Sequence, residues 1–455
     1  MRDRMKTQQY GLCGGGHYRR RDFLRVGALN FLGISLGQHL ELASLMAAGV
    51  GEEKARAQAC ILIWLDGGPS QVDTWDPKPN SAFRAISTNA PGIQISGLFP
   101  RVARHMDKVS IIRSMHTEEN THGVAHHYAM TGHRQSPAMK FPSLGSIITK
   151  EMGPRGAAPP YVIAPKFGNS FEEHFRAHFL GSQYDPMSVP ARKLAPDSGA
   201  ADTGPDFSVP ELSLPASLTP EKMEDRKHFL EIVDRQYRHR LGLVERTDRD
   251  KFQEKAWDML LSPSVRRAFD IADEPANIRD SYGRHPLGQS ALLARRLVAA
   301  GARFVTAGGG VGWDTHSDHN KIVEEKLAAP LDQTLSALLT DLEQRGLLDS
   351  TVVMVMGEFG RTPDYNPRMG RDHWPNCWSL LLGGGGIRGG QLVGSSDERG
   401  AQVAERTVTI GDLFATLYKA FGIDWEKEYL HPTGRPLKIA NSIHDVTGSP
   451  IHELF

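Results

Sequence analysis

Five pieces of sequence decide the fold: Arg303-Phe-Val-Thr-Ala307, Trp313-Asp-Thr-His-Ser-Asp-His319, Thr351-Val-Val-Met-Val-Met356, Gly357-Glu-Phe-Gly-Arg-Thr-Pro363 and Gly370-Arg-Asp-His373. They predict two strands separated by a turn and a long helix, with acids and imidazoles after each strand. Loops at the carboxyl ends of strands form the ligand crevice of an open α/β sheet. The side chains expected in that crevice are Asp314, His316, Asp318, His319, Glu358, Asp372 and His373.

A mixture of carboxylates and imidazoles predicts a site for one or two divalent ions. Zinc, manganese, calcium or magnesium suits such ligands better than a metal that prefers thiolates. The earlier run Cys60-Ile-Leu-Ile-Trp-Leu65 predicts a buried strand that ends at Asp66 and a glycine turn. The predicted metal ligands are therefore Asp66, Asp314, His316, Glu358 and His373.

Composition limits the class of protein. The chain has 455 residues, of which 40% are hydrophobic and 23% charged, as expected for globular α/β material in one large domain or two smaller ones. Lysine plus arginine equal aspartate plus glutamate at 53 each, so no nucleic-acid partner is expected. Three cysteines are too few for a disulfide framework or a cysteine zinc site.

The N-terminal sequence predicts an export signal. Arg19-Arg-Arg-Asp-Phe-Leu-Arg25 precedes an apolar run over 26–36 and an alanine-rich region, the order of an export signal. Its arginine pair resembles the twin-arginine leader, which implies export of the folded protein by the twin-arginine machinery to the periplasm or another extracytoplasmic space. We assign residues 1–58 to this signal and spacer. A membrane anchor is the alternative, but the apolar run is too short for a stable membrane span.

A histidine-rich segment follows the predicted strand over 109–113. It predicts a helix from Thr121 to Thr131 with Gly132 as its stop, and His122 and His126 on one face. The free N–H groups of a helix N-terminus favour developing negative charge, as ester hydrolysis requires. Thr121 is thus a candidate nucleophile, and His122 and His126 are candidate general acids. The alternative is a capping threonine with packed histidines.

The middle of the chain differs in composition from its flanks. Proline- and glycine-rich pieces and polar helices near 221–240 and 248–261 predict a helical and loop cap, residues 165–286, over the strand ends. A solvated structural lobe explains it equally well. On both sides of this segment helices and strands alternate, which predicts α/β architecture: a mostly parallel central sheet with helices on both faces.

The order of these features resembles the alkaline phosphatase superfamily, which includes sulfatases. More narrowly, Asp66-Gly-Gly-Pro-Ser-Gln-Val-Asp-Thr-Trp-Asp-Pro-Lys-Pro79, Trp313-Asp-Thr-His316, Glu358-Phe-Gly-Arg-Thr-Pro363 and Gly370-Arg-Asp-His-Trp374 resemble family 1501 of the domains of unknown function. The resemblance implies an alkaline-phosphatase-like domain over 59–455 that holds a metal site.

Three departures from the superfamily bear on the chemistry. The expected nucleophile position, about ten residues before Gly132, is His122 with Thr121 beside it. No Cys/Ser-x-Pro-x-Arg motif occurs, so a formylglycine sulfatase mechanism is not supported. Glu358-Phe359 stands where an Asp-His pair is expected, which implies a changed ligand set.

These features predict an exported metal-dependent hydrolase of phosphate or sulfate esters, including polysaccharide-linked ones. The metal would polarise the ester oxygen and activate Thr121, His122 or water, and Arg361 could clamp an anionic oxygen. The alternative is a non-catalytic, metal-containing binding protein for surface polysaccharide or protein on the same fold. The sequence leaves the substrate, the metal and the oligomeric state open.

Overall fold

The computed structural model describes residues 56–191, 207, 209, 218–241, 248–309 and 312–455. The predicted twin-arginine segment lies outside these residues. The predicted cap boundaries, 165–286, stay a prediction. Within the described part of the chain, no helix is both long enough and apolar enough to cross a membrane.

An eight-stranded sheet forms the centre of the described structure. Its strands, in chain order, are β1 (Ala59–Trp64), β4 (Val109–Met115), β5 (Tyr161–Ala164), β6 (Met187–Ser188), β7 (Phe304–Gly308), β8 (Thr351–Met356), β11 (Trp378–Gly383) and β12 (Leu392–Val393). Their spatial order is β12-β4-β11-β8-β1-β7-β5-β6. Short two-stranded pairs account for the rest: β2 (Ala85–Ser87) with β3 (Gln94–Ser96), β9 (Gly360–Arg361) with β10 (His373–Trp374), β13 (Ser395–Ser396) with β14 (Val403–Glu405), and β15 (Glu428–Leu430) with β16 (Pro436–Lys438).

The sheet is parallel except at β11, which runs antiparallel to both β4 and β8. The prediction of a mostly parallel sheet is confirmed. β1 lies between β7 and β8, and its last residue, Trp64, is in register with Gly308 on one side and Met356 on the other. Three strands therefore end side by side at one edge of the sheet.

Helices cover both faces of the sheet, as predicted. They are α1 (His122–Thr131), α2 (Leu144–Met152), α3 (Asn169–Glu172), α4 (Pro220–Leu241), α5 (Asp248–Leu261), α6 (Pro263–Phe269), α7 (Ala276–Tyr282), α8 (Pro286–Ala300), α9 (His319–Ile322), α10 (Ala329–Gln344) and α11 (Ile410–Phe421). A π-helical turn, Val323–Ala328, joins α9 to α10, and Pro330 falls in the first turn of α10. Short 3₁₀ turns span Val102–His105, Glu173–Phe175, His178–Leu180, Ser182–Tyr184, Ile271–Asp273, Leu348–Ser350, Ile443–Asp445 and His452–Leu454.

The two faces of β1 explain how the core is divided. Ile61 and Ile63 pack in the cluster that contains the leucines of α8 and α10, whereas Leu62 packs with α1, α2 and α11 on the opposite face. Successive side chains of a strand point to opposite faces, so a strand covered on both sides is apolar throughout. The continuous apolar run at 60–65 follows from this burial.

A buried carboxylate fixes the loop after β1 to the loops that follow β7 and β8. Asp73 accepts hydrogen bonds from Ser70 and Ser81, both at 2.6 Å, lies 2.9 Å from Nε2 of His319 and forms an ion pair with Arg371 at 2.8 Å. Burial raises the pKa of Asp73, but His319 and Arg371 outweigh it and hold that pKa at about 2, against an ordinary value of 3.8. The carboxylate is therefore ionised at neutral pH.

Replacing Asp73 by alanine should lower the free energy of unfolding by about 3–5 kcal/mol at pH 7, because it leaves the Arg371 charge buried without its partner. Since the folded pKa lies below the unfolded one, the stabilisation is complete above about pH 4 and is lost as the pH falls towards 2. Urea unfolding of both proteins between pH 7 and pH 2 measures this. A difference that does not shrink on acidification would contradict the assignment.

The matched control is Asp364→Ala, which removes an exposed carboxylate paired with the exposed Arg399. Exposed ion pairs contribute little to stability, so this variant should unfold close to the parent protein at every pH.

Candidate metal centre

The carboxyl ends of β8, β1 and β7 bring together three acids that are far apart in sequence. Asp66 follows β1, Glu358 follows β8 and Asp314 lies in the loop after β7. Gly67 makes the close approach possible. Its φ is +99°, and a Cβ there would lie 2.5 Å from the backbone nitrogen of Asp314, so only glycine fits.

Glu358 is the centre of the first group of side chains. Its carboxylate is fully buried, and it accepts hydrogen bonds from the backbone N–H of Gly67 at 3.1 and 3.3 Å. Nδ1 of His122 lies 2.7 Å and Nε2 of His126 lies 3.0 Å from its Oε1. Nε2 of His126 also lies 3.1 Å from Oδ1 of Asp66. Two turns of one helix, α1, thus face the end of β8, as the spacing of His122 and His126 predicted.

Asp314 is the centre of the second group. Its Oδ1 lies 3.0 Å from Nε2 of His316 and 3.2 Å from Nε2 of His373, and its Oδ2 lies 3.4 Å from Nε2 of His122. His122 therefore contacts both groups, one through each ring nitrogen. All five predicted metal ligands come together in these two groups.

The outer nitrogens of two histidines have partners that fix their tautomers. Nδ1 of His373 lies 2.6 Å from the carbonyl oxygen of Asn120, which can only accept, so Nδ1 carries the proton. Nδ1 of His316 lies 2.6 Å from the carboxylate of Asp372, which also accepts. Such an outer partner is typical of metal-ligating histidines, because it turns the other nitrogen towards the ion.

The inner nitrogen of each of these two histidines is Nε2, and the distance between the two Nε2 atoms bears on whether a cation fits between them. Nε2 of His316 and Nε2 of His373 lie 2.9 Å apart. With both Nδ1 atoms protonated, two neutral rings would place lone pairs against each other at that distance. A proton or a metal cation between them removes the repulsion, and burial lowers the pKa of His373, which opposes protonation. The residues present therefore fit a divalent ion.

Three further atoms agree with this. Oδ1 of Asp66, Nε2 of His122 and Nε2 of His126 are buried, and the groups nearest to them are other ionisable groups of the centre: Asp66 and His126 face each other at 3.1 Å, and His122 faces Asp314 at 3.4 Å. Two sets of ligand atoms lie within 4.8 Å of one another: His122, Asp314 and His373, and His122, His126 and Glu358. Acids and imidazoles that face one another in this way can all be ligands of a cation held among them.

The charges of the centre favour a cation. Burial raises the pKa of Glu358, but His122 and His126 outweigh it and hold that pKa at about 2. Burial likewise raises the pKa of Asp314, and Arg361 lowers it to about 2. Burial lowers the pKa of His126, yet the carboxylates of Asp66 and Glu358 raise it to about 9. Glu358 and Asp314 therefore stay ionised at neutral pH, and a proton on His126 balances the charge of Glu358. A divalent ion that binds His126 would displace this proton.

Arg361 does not have the position that a substrate clamp needs. Its side chain is 0% exposed, and its guanidinium donates to the backbone oxygens of Gly67, Gly68 and Arg371 and to Oδ1 of Asp314 at 2.6 Å. A group so enclosed has no free surface for an anionic oxygen. We correct its predicted role: Arg361 positions Asp314 and joins the loops after β1 and β8.

Two of the acids and imidazoles expected in the crevice lie elsewhere. His319 is buried against Asp73 and Thr315, 2.9 and 2.6 Å away, and Asp318 is exposed before α9. Both follow the turn at Trp313–His316, after which the chain leads away into the helix. The pattern of residue types did not show where the loop leaves the site.

Thr121 precedes α1 in extended conformation, as predicted, but its side chain makes no capping hydrogen bond. The hydroxyl is exposed, and its hydrogen bond to the side chain of Asn120 is 3.4 Å long. Its neighbours on both sides touch the centre, Asn120 through His373 and His122 through Glu358. Gly132 ends α1 in left-handed conformation, as predicted, so His133 does not extend the histidine face.

Sequence reasoning missed Asn120 and Asn366. Asn120 acts through its backbone carbonyl, which no residue type can signal. Asn366 donates to the carboxylate of Asp372 and to the carbonyl oxygen of His316, both at 3.0 Å, and so holds the partner that orients His316. Its place in a loop after Pro363 carries no recognisable pattern.

Residues 57–455 match the model of a family described as a protein of unknown function, DUF1501. The chain belongs to the DUF1501 family. The match covers all of the strands and helices above and every residue of the candidate centre. No curated protein matches this DUF1501 chain.

Several solved structures are similar to this DUF1501 protein at low identity. Ps i-CgsB in complex with k-i-k-neocarrahexaose is 10% identical with a TM-score of 0.37, over 81% of this chain and 72% of that one. The PsFucS1 sulfatase from Pseudoalteromonas sp. is 12% identical with a TM-score of 0.36, over 87% and 74%. A mutant of TAB5 alkaline phosphatase with Mg bound in the M3 site is 10% identical with a TM-score of 0.38, over 82% and 100%. At these scores the likeness does not extend to the role of any residue.

Arg361→Lys should lower the free energy of unfolding by about 1–3 kcal/mol, although it keeps the positive charge, because buried carbonyl oxygens lose their donors. Lysine cannot reproduce a planar guanidinium that bonds three carbonyl oxygens and Asp314 at once. Urea unfolding measures the loss, and Arg134→Lys, which alters an exposed arginine paired with Glu118, is the control expected to change little. Equal stability of the two variants would contradict the positioning role.

Proposed function

We propose that this DUF1501 protein is an exported, metal-dependent hydrolase of phosphate or sulfate esters. The observation that carries the proposal is the pair of inner histidine nitrogens, His316 Nε2 and His373 Nε2, 2.9 Å apart beside Oδ1 of Asp314. A divalent cation between these nitrogens would remove the repulsion between their lone pairs, and the pair lies at the edge of the sheet where ligands bind in open α/β folds. Imidazole and carboxylate ligands suit zinc, manganese, calcium or magnesium.

Two sets of residues would hold one or two ions: His122, Asp314, His316 and His373 on one side, and Asp66, His126 and Glu358 on the other. A divalent cation held there supplies Lewis acidity to the oxygens of an ester. His122 contacts both sets, and so its position depends on both being intact.

The N-terminus of α1 favours an anionic substrate at the same place. Thr121 leaves the first turn without a side-chain cap, and the first backbone bond of the helix runs from the N–H of Ala125 to the oxygen of Thr121. The N–H groups of the first turn therefore face outward next to His122. Amides at a helix N-terminus stabilise phosphate-like groups and the charge that develops during their transfer.

The exposed hydroxyl of Thr121 is well placed to act as the attacking group, with water as the alternative. It is exposed, it is not used as a cap, and both of its neighbours in the chain contact the centre. In a one-ion form held by Asp66, His126 and Glu358, His122 is not a ligand and can act as general acid. Its hydrogen bond to Glu358 raises its pKa and so favours the protonated state that this role requires.

A second function, metal-dependent binding of surface polysaccharide or protein without turnover, is favoured by Arg361. Its enclosure removes the one arginine that the sequence offered as a clamp for a substrate oxygen. The experiments below separate the two functions. Export by the twin-arginine machinery is part of the proposal and is supported by the sequence of residues 1–58 alone, which resembles a twin-arginine leader.

Metal analysis of the purified protein should find one or two divalent ions per chain, and Glu358→Ala and His373→Ala should each lower that number. The physical reason is that each variant removes a ligand atom from one of the two sets. The measurement is elemental analysis for zinc, manganese, iron, calcium and magnesium. Asp364→Asn, an exposed acid away from the centre, is the control. Metal content unchanged in both alanine variants would remove the site assignment.

A screen of aryl phosphate, phosphodiester and sulfate esters with each metal should show hydrolysis that falls at least about 100-fold in Glu358→Ala. This is the rate equivalent of a loss of about 2.7 kcal/mol of charge stabilisation in the transition state. Metal bound in the parent protein without turnover of any ester would favour the binding function instead.

Thr121→Ala and Thr121→Ser distinguish the two attacking groups. If the hydroxyl attacks, the alanine variant should lose turnover and the serine variant should keep a measurable part of it, while both bind metal as the parent does. Equal turnover in the parent and both variants would assign the attack to water.

A further inference from the structure

A cavity lies beside β5 and β6, the two strands at one edge of the central sheet. Its volume is about 740 Å³, and small-molecule sites have about 300–1,000 Å³. The wall is formed by the start of β5, by the 3₁₀ turn Ser182–Tyr184 with the chain that leads into β6, and by one face of α5. Most of the side chains in the wall are apolar: Pro159, Pro160, Pro186, Met187, Ala256 and Met259.

The cavity and the candidate centre lie at opposite ends of the strands. Tyr161, the first residue of β5, lines the cavity and is in register with Phe304, the first residue of β7. The candidate centre lies beyond Gly308, the last residue of β7. The five residues of β7 extend about 16 Å, so that length of sheet separates the two sites.

Lys255 is a cation without a partner in this wall. It lies one turn before Met259 on α5, next to Ala256, and all three line the cavity. Among the described residues its ammonium group has no hydrogen bond and no ion pair, and Asp258, the acid nearly one turn along α5, pairs with Lys227 at 3.1 Å. Burial lowers the pKa of Lys255 from an ordinary 10.5 to about 8, and no nearby charge raises it. At neutral pH this partly buried charge is therefore present and uncompensated.

The acid in the wall does not supply the missing charge. Asp185 lines the cavity, but its Oδ1 accepts a hydrogen bond from the backbone N–H of Ala177 at 2.7 Å, and it forms no ion pair with Lys255. Gln183 is a second polar group without a partner, since its Oε1 is buried and accepts no hydrogen bond from the described residues. A side-chain amide has both a donor and an acceptor, so Gln183 can bond a polar group of a ligand.

We propose that this cavity binds a carboxylate with an apolar body, and that Lys255 forms an ion pair with that carboxylate. The proline, methionine and alanine side chains suit the apolar body. A partly buried ammonium group favours an anion in the same cavity, because charge-assisted hydrogen bonds are stronger away from water. A neutral molecule would leave Lys255 unpaired, and a dianionic phosphate would bring one charge more than Lys255 balances.

Titration calorimetry of the full chain with octanoate, octan-1-ol and octylamine tests the proposal, since these probes share one apolar chain and differ in the head group. Octanoate should bind at least about 10-fold more tightly than octan-1-ol, the effect of one charge-assisted hydrogen bond, and octylamine should bind most weakly. Equal binding of octanoate and octan-1-ol would overturn the carboxylate as ligand, and so would tighter binding of octylamine beside Asp185. No binding of any probe would overturn the site.

Lys255→Met tests the side chain that carries the preference. Methionine keeps an unbranched apolar side chain without the charge, so the variant should bind octan-1-ol as the parent protein does and lose the preference for octanoate. It should also resist urea at least as well as the parent, because a charge without a partner has been removed. Lys326→Met, which removes an exposed lysine that does not line the cavity, is the matched control. A Lys255→Met variant that keeps the full preference would contradict the proposed ion pair.

Ala256→Leu tests the position of the apolar body. The larger side chain fills part of the cavity, so octanoate and octan-1-ol should both bind more weakly than to the parent protein. Unchanged binding of both would place the ligand elsewhere and overturn the proposal. None of these measurements depends on metal or on turnover, so failure here and failure of the proposed hydrolase activity are separate results.

Discussion

A single buried carboxylate, that of Glu358, holds the candidate centre together. It is fully enclosed at the end of β8, where an unpaired charge would be prohibitively costly, and it is compensated by the N–H of Gly67 and by two histidines of α1. These partners come from two other parts of the chain, the loop after β1 and helix α1. The charge of Glu358 therefore ties the loop after β1 and the first turns of α1 to the end of β8, and the rest of the centre is arranged around that connection.

Two buried arginines connect the surrounding loops in the same way, through buried charges that have several partners. Arg361 joins the loops after β1 and β8 to Asp314, and Arg371 forms its ion pair with Asp73 two residues before His373. Both guanidiniums bond several carbonyl oxygens that have no partner in a strand or helix. Because they fix backbone rather than substrate, the loops keep the histidines in place with their inner nitrogens turned towards one point.

Much of the architecture could be predicted from local pattern. The continuous apolar runs at 60–65 and 351–356 predicted strands, which the structure buries on both faces. Gly132 predicted the end of α1, and the structure has it there in the left-handed conformation that glycine favours. The five predicted metal ligands also come together. In contrast, the roles of Arg361 and His319 could not be predicted from the sequence. Arginine and histidine can either face the crevice or form the hydrogen bonds and ion pairs that hold the loop behind it. Only contacts between distant segments, such as His319 with Asp73, distinguish those cases.

The sequence by itself determined the order of strands and helices, the family, and the set of acids and imidazoles that follow the strands, since these depend on periodicity and on residues close together in the chain. The tertiary structure alone decided which nitrogen of each histidine faces the centre, which arginine is enclosed, and that β11 runs against its neighbours. It also decided that Phe229 and Tyr237 of α4 are exposed. These outcomes depend on long-range packing and burial, which bring together groups that no local pattern relates.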